Sequence, residues 1–503
     1  MIRYFRPAIA SLLLSLLLIA PTNISGVLPN QTRLIPEDMS QDSPCVEYDS
    51  TQKLIEVRCK SIHLTDIYNQ LSNPTILGIE NKKEGSISSL NHGKVWILDA
   101  GIVVEKEASL IIDSSDTSWL KITSTPTLQL KKESGNVTDK EDGNASNFEE
   151  HTRIDTDIKN KNSSDTKGND IIVVSKNNGD NPNGIHVHGS LNIDSVKITS
   201  WDPEKNDVIG FDFGKRPGEE HTKSDYDTAE PRAFIRVSKL ATGTTNITNS
   251  ELAYLGYSCS RCAGLSYYGG EGSILKNNNI HHLLKGFYSK GIGQMLIEDN
   301  KFHDNYLYGI DPHTRSHDII IRNNKVYDNN ASGIICSKDC YNLLIEGNEV
   351  YRNGGVGRGI AFSINTSHSI ARNNDVHNNE RCISFNRESN YNEVYNNTIS
   401  NCDVGIYLSN TSKNFIYDNK IIHSKYGIVI KEDITNNITK NVVDMSKTGI
   451  VFINRNNTNL DDDNLNSYLE VLKSTNKLGD VTNPFVVDTG KIKGLRELLE
   501  QYG

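Results

Sequence analysis

The segment YLYGIDPHTRSHDIII, residues 306–321, contains four side chains that can transfer protons or bind ions, and all four lie in one stretch of seven residues. They are Asp311, His313, Arg315 and His317. A histidine changes charge near neutral pH and can act there as a general base. A guanidinium neutralises a carboxylate. Together these side chains can transfer protons and bind anions, so the elements that position them decide what the segment does.

A repeat of 22–26 residues runs through the C-terminal half of the chain and includes this segment. Each unit begins with a glycine, or once a cysteine, followed by an apolar residue: Gly264, Gly286, Gly309, Gly333, Gly359, Cys382, Gly405, Gly427 and Gly449. A fixed period of this size is typical of a solenoid. The Leu-x-x-Leu-x-Leu pattern of leucine-rich repeats is absent, and the units are short β-branched strands between Asn and Gly turns. The sequence therefore predicts an all-β parallel β-helix.

A second column of asparagines recurs with the same period. Its members are Asn279, Asn300, Asn324, Asn348, Asn374, Asn397, Asn419 and Asn441. Aligned asparagines on stacked coils can hydrogen-bond from coil to coil, so this column predicts a ladder.

The alternation of side chains along a strand predicts which ones face outward. The residues one and three positions after each glycine are mostly apolar and should face the interior. Those two and four positions after it, here called the Gly+2 and Gly+4 columns, should face outward. Asp311 and His313 then share the outer face, with Tyr288 and Lys290 beside them one coil earlier. Pro312 points inward and should distort the sheet, because proline cannot donate to the ladder.

The N-terminal and composition features indicate an exported protein. Residues 1–26 combine Arg3 and Arg6 with a short apolar run, which predicts a signal peptide, or alternatively an uncleaved anchor. The eight cysteines fall into four local pairs, which we expect to be disulfides: Cys45–Cys59, Cys259–Cys262, Cys336–Cys340 and Cys382–Cys402. The formal net charge is −10 with no basic face, so no nucleic-acid partner is expected.

The composition also divides the chain into regions. Residues 27–130 should form the first coils, and residues 131–168 are nearly devoid of apolar side chains and should be a disordered insertion. Residues 169–459 should form the catalytic β-helix. Residues 460–503 have helical spacing and should cap the open end of the solenoid.

The motif YGIDPHTRSH resembles the Tyr-Gly-x-Asp-Pro-His signature of the mannuronan C5-epimerases, which convert β-D-mannuronate to α-L-guluronate within alginate. The resemblance is nearest to the periplasmic, export-linked branch and extends over roughly residues 170–450. It implies a right-handed parallel β-helix and a polyuronate C5-epimerase. It also implies that His313 is the base toward the C5 proton, that Tyr308 is the partner acid or base, and that Asp311 is the motif aspartate. Thr314 departs from the family, which has an acidic residue at this position.

The same resemblance implies the cations of the site. Lys338 stands where the export-linked branch has an arginine, while Lys290 and Arg358 match the lysine and arginine of the secreted branch. Such a cation is needed because removing a proton next to a carboxylate produces an enolate dianion. Further substrate contacts are expected from the side chains of Tyr268, Tyr288, Arg315 and His317.

The expected partner is an anionic polysaccharide, bound by a monomer that meets a membrane only through an N-terminal anchor. No cofactor is expected, and the nonapeptide repeats of calcium-binding modules are absent. Two alternatives stay open. The same enolate could expel the C4 oxygen, which would make the protein a polyuronate lyase. The solenoid could instead be a non-catalytic carbohydrate-binding surface.

Overall fold

The structure is a computed structural model that describes residues 44–80, 93–124, 183–210, 231–258, 261–354, 357–431, 434–454 and 462–488. Within these ranges the chain coils through three long sheets, and successive coils pair in parallel. The predicted parallel β-helix is confirmed. The predicted signal segment 1–26 and insertion 131–168 lie outside the described residues. None of the helices found in the described ranges has the length and apolar character needed to cross a membrane.

The first sheet contains the strands that carry the repeated glycines. Its strands are β1 (Val46–Asp49), β2 (Leu54–Val57), β6 (Gly101–Val104), β9 (Gly184–Val187), β13 (Phe234–Val237), β16 (Gly264–Tyr267), β19 (Lys285–Lys290), β22 (Ile310–His313), β25 (Ile334–Ser337), β28 (Arg358–Ser363), β31 (Arg381–Asn386), β34 (Val404–Ser409), β37 (Tyr426–Lys431), β40 (Ser446–Ile453) and β42 (Val481–Asp488). The pair β1–β2 is antiparallel, and the pairs that follow are parallel.

The second sheet follows the first around each coil. Its strands are β3 (Ile62–His63), β7 (Ser109–Asp113), β10 (Ser190–Asp194), β14 (Thr245–Thr248), β17 (Ile274–Lys276), β20 (Leu296–Glu298), β23 (Ile320–Arg322), β26 (Leu344–Glu346), β29 (Ile370–Arg372), β32 (Glu393–Tyr395), β35 (Phe415–Tyr417) and β38 (Asn437–Thr439).

The third sheet completes each coil. Its strands are β4 (Leu77–Ile79), β5 (Lys94–Leu98), β8 (Thr117–Thr123), β11 (Lys197–Asp202), β12 (Asp207–Val208), β15 (Glu251–Ala253), β18 (Asn279–His281), β21 (Lys301–His303), β24 (Lys325–Tyr327), β27 (Glu349–Tyr351), β30 (Asp375–His377), β33 (Thr398–Ser400), β36 (Lys420–Ile422), β39 (Val442–Asp444) and β41 (Lys477–Leu478). Strand β6 pairs directly with β9 and β7 with β10, so coils before and after residues 125–182 stack on each other.

The apolar core runs along the inside of the coils. The residue after each repeated glycine is fully buried there, as in the aligned series Phe287, Ile310, Ile334, Ile360, Ile383, Ile406, Ile428 and Ile450. Burying one such side chain contributes roughly 1.5–3 kcal/mol. At Gly309 a Cβ would lie 2.5 Å from Val326 Cγ1 and 2.7 Å from the Gly333 carbonyl oxygen. Glycine is needed there because the coil wall approaches so closely.

The predicted asparagine ladder is confirmed with one correction at its start. Asn300 accepts hydrogen bonds at Oδ1 from the backbone and side-chain amides of Asn278, at 2.9 Å each, and not from Asn279. Asn300 in turn donates to Asn324, and the series continues to Asn476. Two shorter ladders, which were not predicted, join Asn305, Asn329, Asn353 and Asn379, and Asn392, Asn414 and Asn436. Each asparagine thereby satisfies turn amides that would otherwise be buried without partners.

The disulfide prediction is right for two pairs and wrong for one. Cys45–Cys59 and Cys382–Cys402 are bonded, and Cys262 is also disulfide-bonded, whereas Cys259 lies outside the described residues. Cys336 and Cys340 are free and buried. Cys336 faces the core in register with Phe362, and the Cys340 thiol donates to the carbonyl oxygen of Ser337 at 3.2 Å. These two thiols are packed as small apolar groups.

Both ends of the solenoid carry a helix. Helix α1 (Leu64–Leu71) buries Leu64 and Ile67 near the first coils. Helix α2 (Asp462–Thr475) buries Leu469 and Leu472 at the C-terminal end. Strands β41 and β42 follow α2 and extend two of the sheets. The cap described at this end is therefore a helix and two strands, and the helical pattern over residues 490–503 lies outside the described residues.

Candidate active site

Strand β22 carries the Asp-Pro-His motif and lies between β19 and β25. Register pairs Tyr288 with Asp311 and Lys290 with His313, as the spacing predicts. On the other side, β22 pairs with β25 only at Ile310 and His313. The ladder is thus interrupted at Asp311 and Pro312, which is the distortion expected of a proline that lacks an N–H group.

Asp311 is fully buried although it lies on the outer face of the sheet. Its carboxylate is 3.4 Å from Lys285 Nζ and accepts a hydrogen bond from the Ser337 hydroxyl at 3.3 Å. A buried carboxylate without such partners would be strongly destabilising. The motif aspartate is therefore held in an ion pair with Lys285, whose side chain is itself 11% exposed.

Lys285 was not predicted from the sequence. It immediately precedes Gly286, in what we call the Gly−1 column, and strict alternation would turn it away from Asp311. The break in alternation at the glycine places both on one face, and the pairing of β16 with β19 is irregular at this point. A search of the Gly−1 positions for charged residues would have found Lys285, Arg358 and Arg381 together.

His313 is partly buried, and its ring is fixed by the next residue. Nδ1 lies 2.5 Å from Oγ1 of Thr314, so Thr314 contacts the histidine at the position where the resembled family has an acid. Thr314 and Arg315 have φ values of 36° and 64°, and the equivalent Lys338 and Asp339 of the next coil have 66° and 61°. The left-handed turn after the histidine is therefore a feature of the coil, not a strain confined to the site.

Aromatic rings line the approach to His313. The ring centroids of Tyr268 and Tyr288 are 6.0 Å apart, and those of Tyr288 and His313 are 5.5 Å apart. Lys285 Nζ lies 4.3 Å from the Tyr288 ring and 5.6 Å from the Tyr308 ring. The predicted residues Tyr268, Tyr288 and Tyr308 thus gather around Lys285 and His313.

The three cations predicted to neutralise a substrate carboxylate lie on different coils relative to His313. Lys290 is exposed and adjacent to His313 in register. Lys338 is in the turn after β25, where its carbonyl oxygen accepts a hydrogen bond from the Arg315 amide at 2.9 Å. Arg358 begins β28, two coils beyond His313. Burial, with a smaller effect of the neighbouring Arg381 charge, lowers the pKa of Arg358 to about 10.

Two predicted substrate contacts lie in the turn that follows the motif. Arg315 is exposed. The His317 ring stacks on Tyr341 with centroids 5.0 Å apart, and its Nδ1 is 2.8 Å from Asp318. These contacts belong to the turn between the first and second sheets and not to the cluster around His313.

Three comparisons relate this chain to known proteins. A mannuronan C5-epimerase from Pseudomonas fluorescens is 29% identical over 146 residues, which cover 26% of this chain and 24% of that protein. The same enzyme from Pseudomonas putida is 27% identical over 146 residues, covering 26% of this chain and 25% of that protein. The resemblance to the mannuronan C5-epimerase family is confirmed. The matched segments span about a quarter of the length of these relatives.

The solved structure of the periplasmic alginate epimerase AlgG matches the fold. The TM-score is 0.54 with 17% sequence identity, and the match covers 86% of this chain and 84% of that one. At this identity the likeness shows the β-helix fold alone.

A family model described as periplasmic copper-binding protein (NosD) matches residues 241–425 and 358–471. Copper needs a cluster of donor side chains. Among the residues that the structure describes, no group of three or more His, Cys, Asp or Glu side chains is arranged to hold a metal ion. The described part of the chain therefore does not fit the copper of that description.

Proposed function

We propose that the protein is a polyuronate C5-epimerase that acts on mannuronan or a similar polymer. The observation that carries this proposal is the pairing of His313 with Lys290 across β19 and β22, beside the buried Asp311–Lys285 ion pair. A base and an exposed cation on adjacent coils suit the removal of a proton next to a carboxylate. The likeness to mannuronan C5-epimerases supports the choice of substrate.

The first step breaks the C5–H bond of a uronate. The proton passes to the imidazole ring of His313, which is held in place by the contact between its Nδ1 and Thr314, and the electron pair moves into the carboxylate to form an enolate. Lys290 stabilises the added charge, and Lys338 in the next coil is the second cation for this role. Lys285 is less suited, since its charge is already paired with Asp311.

The second step forms a new C5–H bond on the opposite face of the sugar. Tyr308 donates this proton, and the proton held by His313 returns to Tyr308 through solvent, so the reaction is balanced. The neighbouring rings of Tyr268 and Tyr288, which are tilted against each other, support the sugar on the side of His313. Side chains of the protein carry out both proton transfers and supply the cations, so we propose that no cofactor takes part.

The proposed location of the protein outside the cytoplasm follows from its proposed substrate. An anionic cell-surface polysaccharide is met outside the cytoplasm, and the relative of known structure is named as periplasmic. We infer that this chain is exported and works as a monomer on its polymer.

The test is incubation of the protein with polymannuronate in deuterated water, followed by NMR. Epimerisation predicts deuterium at C5 together with new guluronate signals. Unsaturated chain ends with ultraviolet absorbance would instead identify a lyase that uses the same enolate. Binding of the polymer without either product would identify a carbohydrate-binding solenoid and contradict the proposal.

A further inference from the structure

Arg236 lies on the outer face of the first sheet, three coils before the Asp-Pro-His motif. Register places it in one column with Ser266, Tyr288 and Asp311, because β13, β16, β19 and β22 are successive neighbours. The residues on either side of Arg236 are fully buried in the core, so its side chain faces outward. At ~4.8 Å per coil, Arg236 lies roughly 14 Å from Asp311 along the solenoid axis.

Arg261 is a second cation beside Arg236. It is exposed, and its Cζ lies 5.7 Å from the centroid of the Tyr268 ring. The next residue, Cys262, is disulfide-bonded and packs in a small apolar cluster with Phe234, which fixes the turn that carries Arg261. Burial, followed by the charge of Arg261, lowers the pKa of Arg236. The two guanidinium groups are therefore close enough to repel each other.

The two arginines lack a protein counter-charge. Within the residues that the structure describes, no carboxylate forms an ion pair with Arg236 or Arg261. Nη2 of Arg236 lies 2.7 Å from Nδ1 of His186 on the preceding coil. Burial, with the charges of Arg236 and His188 adding to it, lowers the pKa of His186 to about 3. This histidine is therefore neutral at pH 7 and accepts a hydrogen bond without supplying a negative charge.

The hydroxyl group of Ser266 is a buried polar group next to the arginines. Ser266 lies in register between Arg236 and Tyr288 and is fully buried. Its Oγ has no hydrogen-bond partner among the described residues, which is rare for a buried polar atom and points to a functional role. A carboxylate held by Arg236 would accept the hydrogen bond that this hydroxyl can donate.

Aromatic rings connect the arginines to the candidate active site. The Tyr268 ring contacts Arg261 and lies 6.0 Å from the Tyr288 ring, which lies 5.5 Å from the His313 ring. Such rings offer large apolar surfaces with a polar edge. Together they form a continuous strip on the outer face, with the two cations at one end and the candidate base at the other.

We propose that Arg236 and Arg261 form a subsite that binds the carboxylate of a polyuronate three coils before the motif. This inference rests on the proposed function for the identity of its ligand. A carboxylate between the two cations relieves their repulsion, and planar guanidinium groups bind carboxylates in a bidentate manner. Three coils exceed the length of one sugar, so the subsite holds a neighbouring sugar and not the reacting one. It thereby fixes which C5 atom lies at His313.

The experiment measures by calorimetry how tightly purified full-length variants bind hexamannuronate and the neutral hexamer of mannose. We expect R236Q and R261Q each to weaken hexamannuronate binding about tenfold or more, because hydrogen bonds to a charged group are lost. Binding of the neutral hexamer should not change. S266A should weaken hexamannuronate binding by about threefold or more without lowering the melting temperature, because its Oγ has no partner to lose.

The length of the ligand tests the position of the subsite. Dimannuronate is too short to reach from His313 to Arg236, so the wild type should bind hexamannuronate more tightly than dimannuronate. The double variant R236Q/R261Q should remove most of that gain. A gain that persists in full in the double variant overturns the subsite.

R352Q is the matched control, because Arg352 is an exposed arginine paired with Asp328 on the third sheet, and its affinities should equal those of the wild type. If R236Q fails to fold, R261Q and S266A decide, since Arg261 is exposed. Unchanged hexamannuronate affinity in R261Q overturns the subsite. An equal loss of affinity for the charged and the neutral hexamer also overturns it, because that result indicates a structural role.

The outcome is independent of turnover. Variants that change affinity as expected, in a protein that places no deuterium at C5, support the subsite and contradict the epimerase. Deuterium at C5 with affinities untouched by these variants supports the epimerase and overturns the subsite. A wild type that does not bind hexamannuronate overturns the subsite whatever its activity.

Discussion

The outer face of the first sheet differs between its middle coils and its last coils. In the middle coils, the outward and Gly−1 columns hold Lys285, Asp311, His313, Arg358 and Arg381. In the last coils, equivalent columns hold an apolar cluster separate from the main core: Val404, Tyr407, Tyr426, Val429, Val451 and Ile453. The strand register is continuous from one region to the other.

The backbone is the same in the two regions, and only the side chains differ. One coil geometry therefore presents charged side chains in the middle coils and a buried apolar cluster in the last coils. The fold alone therefore says little about function, and the columns that change from charged to apolar mark where the candidate active site ends.

The largest expected effect is on catalysis in the middle coils. Replacing His313 with alanine should lower the rate of deuterium incorporation at C5 by roughly 10²–10⁴-fold, because general-base catalysis contributes that much. His317→Ala is the control, and its rate should stay within a few-fold of the wild type. A H313A protein that keeps its rate would remove His313 from the chemistry.

The next effect is on stability in the same coils. Lys285→Met leaves the fully buried Asp311 carboxylate without its cation, which should reduce the free energy of unfolding by about 3–5 kcal/mol. Urea denaturation measures this loss. The double variant K285M/D311N should recover most of it, because no charge is then left unpaired. A cost below about 1 kcal/mol in K285M would mean that solvent reaches Asp311.

The asparagine ladder should not distinguish the two regions. Asn348→Ala in the middle coils and Asn419→Ala in the last coils each remove the side-chain oxygen that accepts a hydrogen bond from a buried backbone amide, that of Asn324 and that of Asn397 respectively. Each should cost roughly 1–3 kcal/mol. Asn437→Ala, at an exposed position of strand β38, is a control that should change stability by less than about 0.5 kcal/mol. Unequal costs at Asn348 and Asn419 would show that the backbone itself differs between the regions.

Glu380 lies between the middle coils and the last coils, and its pKa, which burial raises, should make the stability of the protein depend on pH. Its pKa of about 7 in the folded protein exceeds the ordinary value of 4.5, so the folded state holds this proton more tightly than the unfolded state does. The associated stability is present below pH 4.5 and is lost as the pH rises through about 7. The melting temperature of the wild type should therefore fall between pH 5 and pH 8 by more than that of E380Q. Parallel curves would contradict the raised pKa.

The smallest effect is expected from trimming the apolar cluster. Ile453→Val should cost about 0.5–1.5 kcal/mol, because one buried methylene group is lost. The deuterium incorporation rate and hexamannuronate affinity should be unchanged. A loss of activity in this variant would extend the candidate active site into the last coils.

The sequence by itself determined the architecture and the centre of the site. The 22–26-residue period predicts stacked coils, and the period of two within a strand pairs Lys290 with His313 and Tyr288 with Asp311. Both predictions need only the regular geometry of a parallel strand, which the sequence reveals through the positions of glycine and apolar residues. The motif histidine and the interruption of the ladder at Pro312 follow in the same way.

Only the tertiary structure decided which partners these side chains have. The break in alternation at each glycine brings the Gly−1 column onto the outer face, which unites Lys285 with Asp311 and aligns Arg358 with Arg381. The tertiary structure also shows that Asp311 is buried, that Cys336 faces the core and is not bonded to Cys340, and that the asparagine ladder begins at Asn278. These outcomes depend on one-residue shifts at turns and glycines, where no periodic pattern indicates the direction of the next side chain.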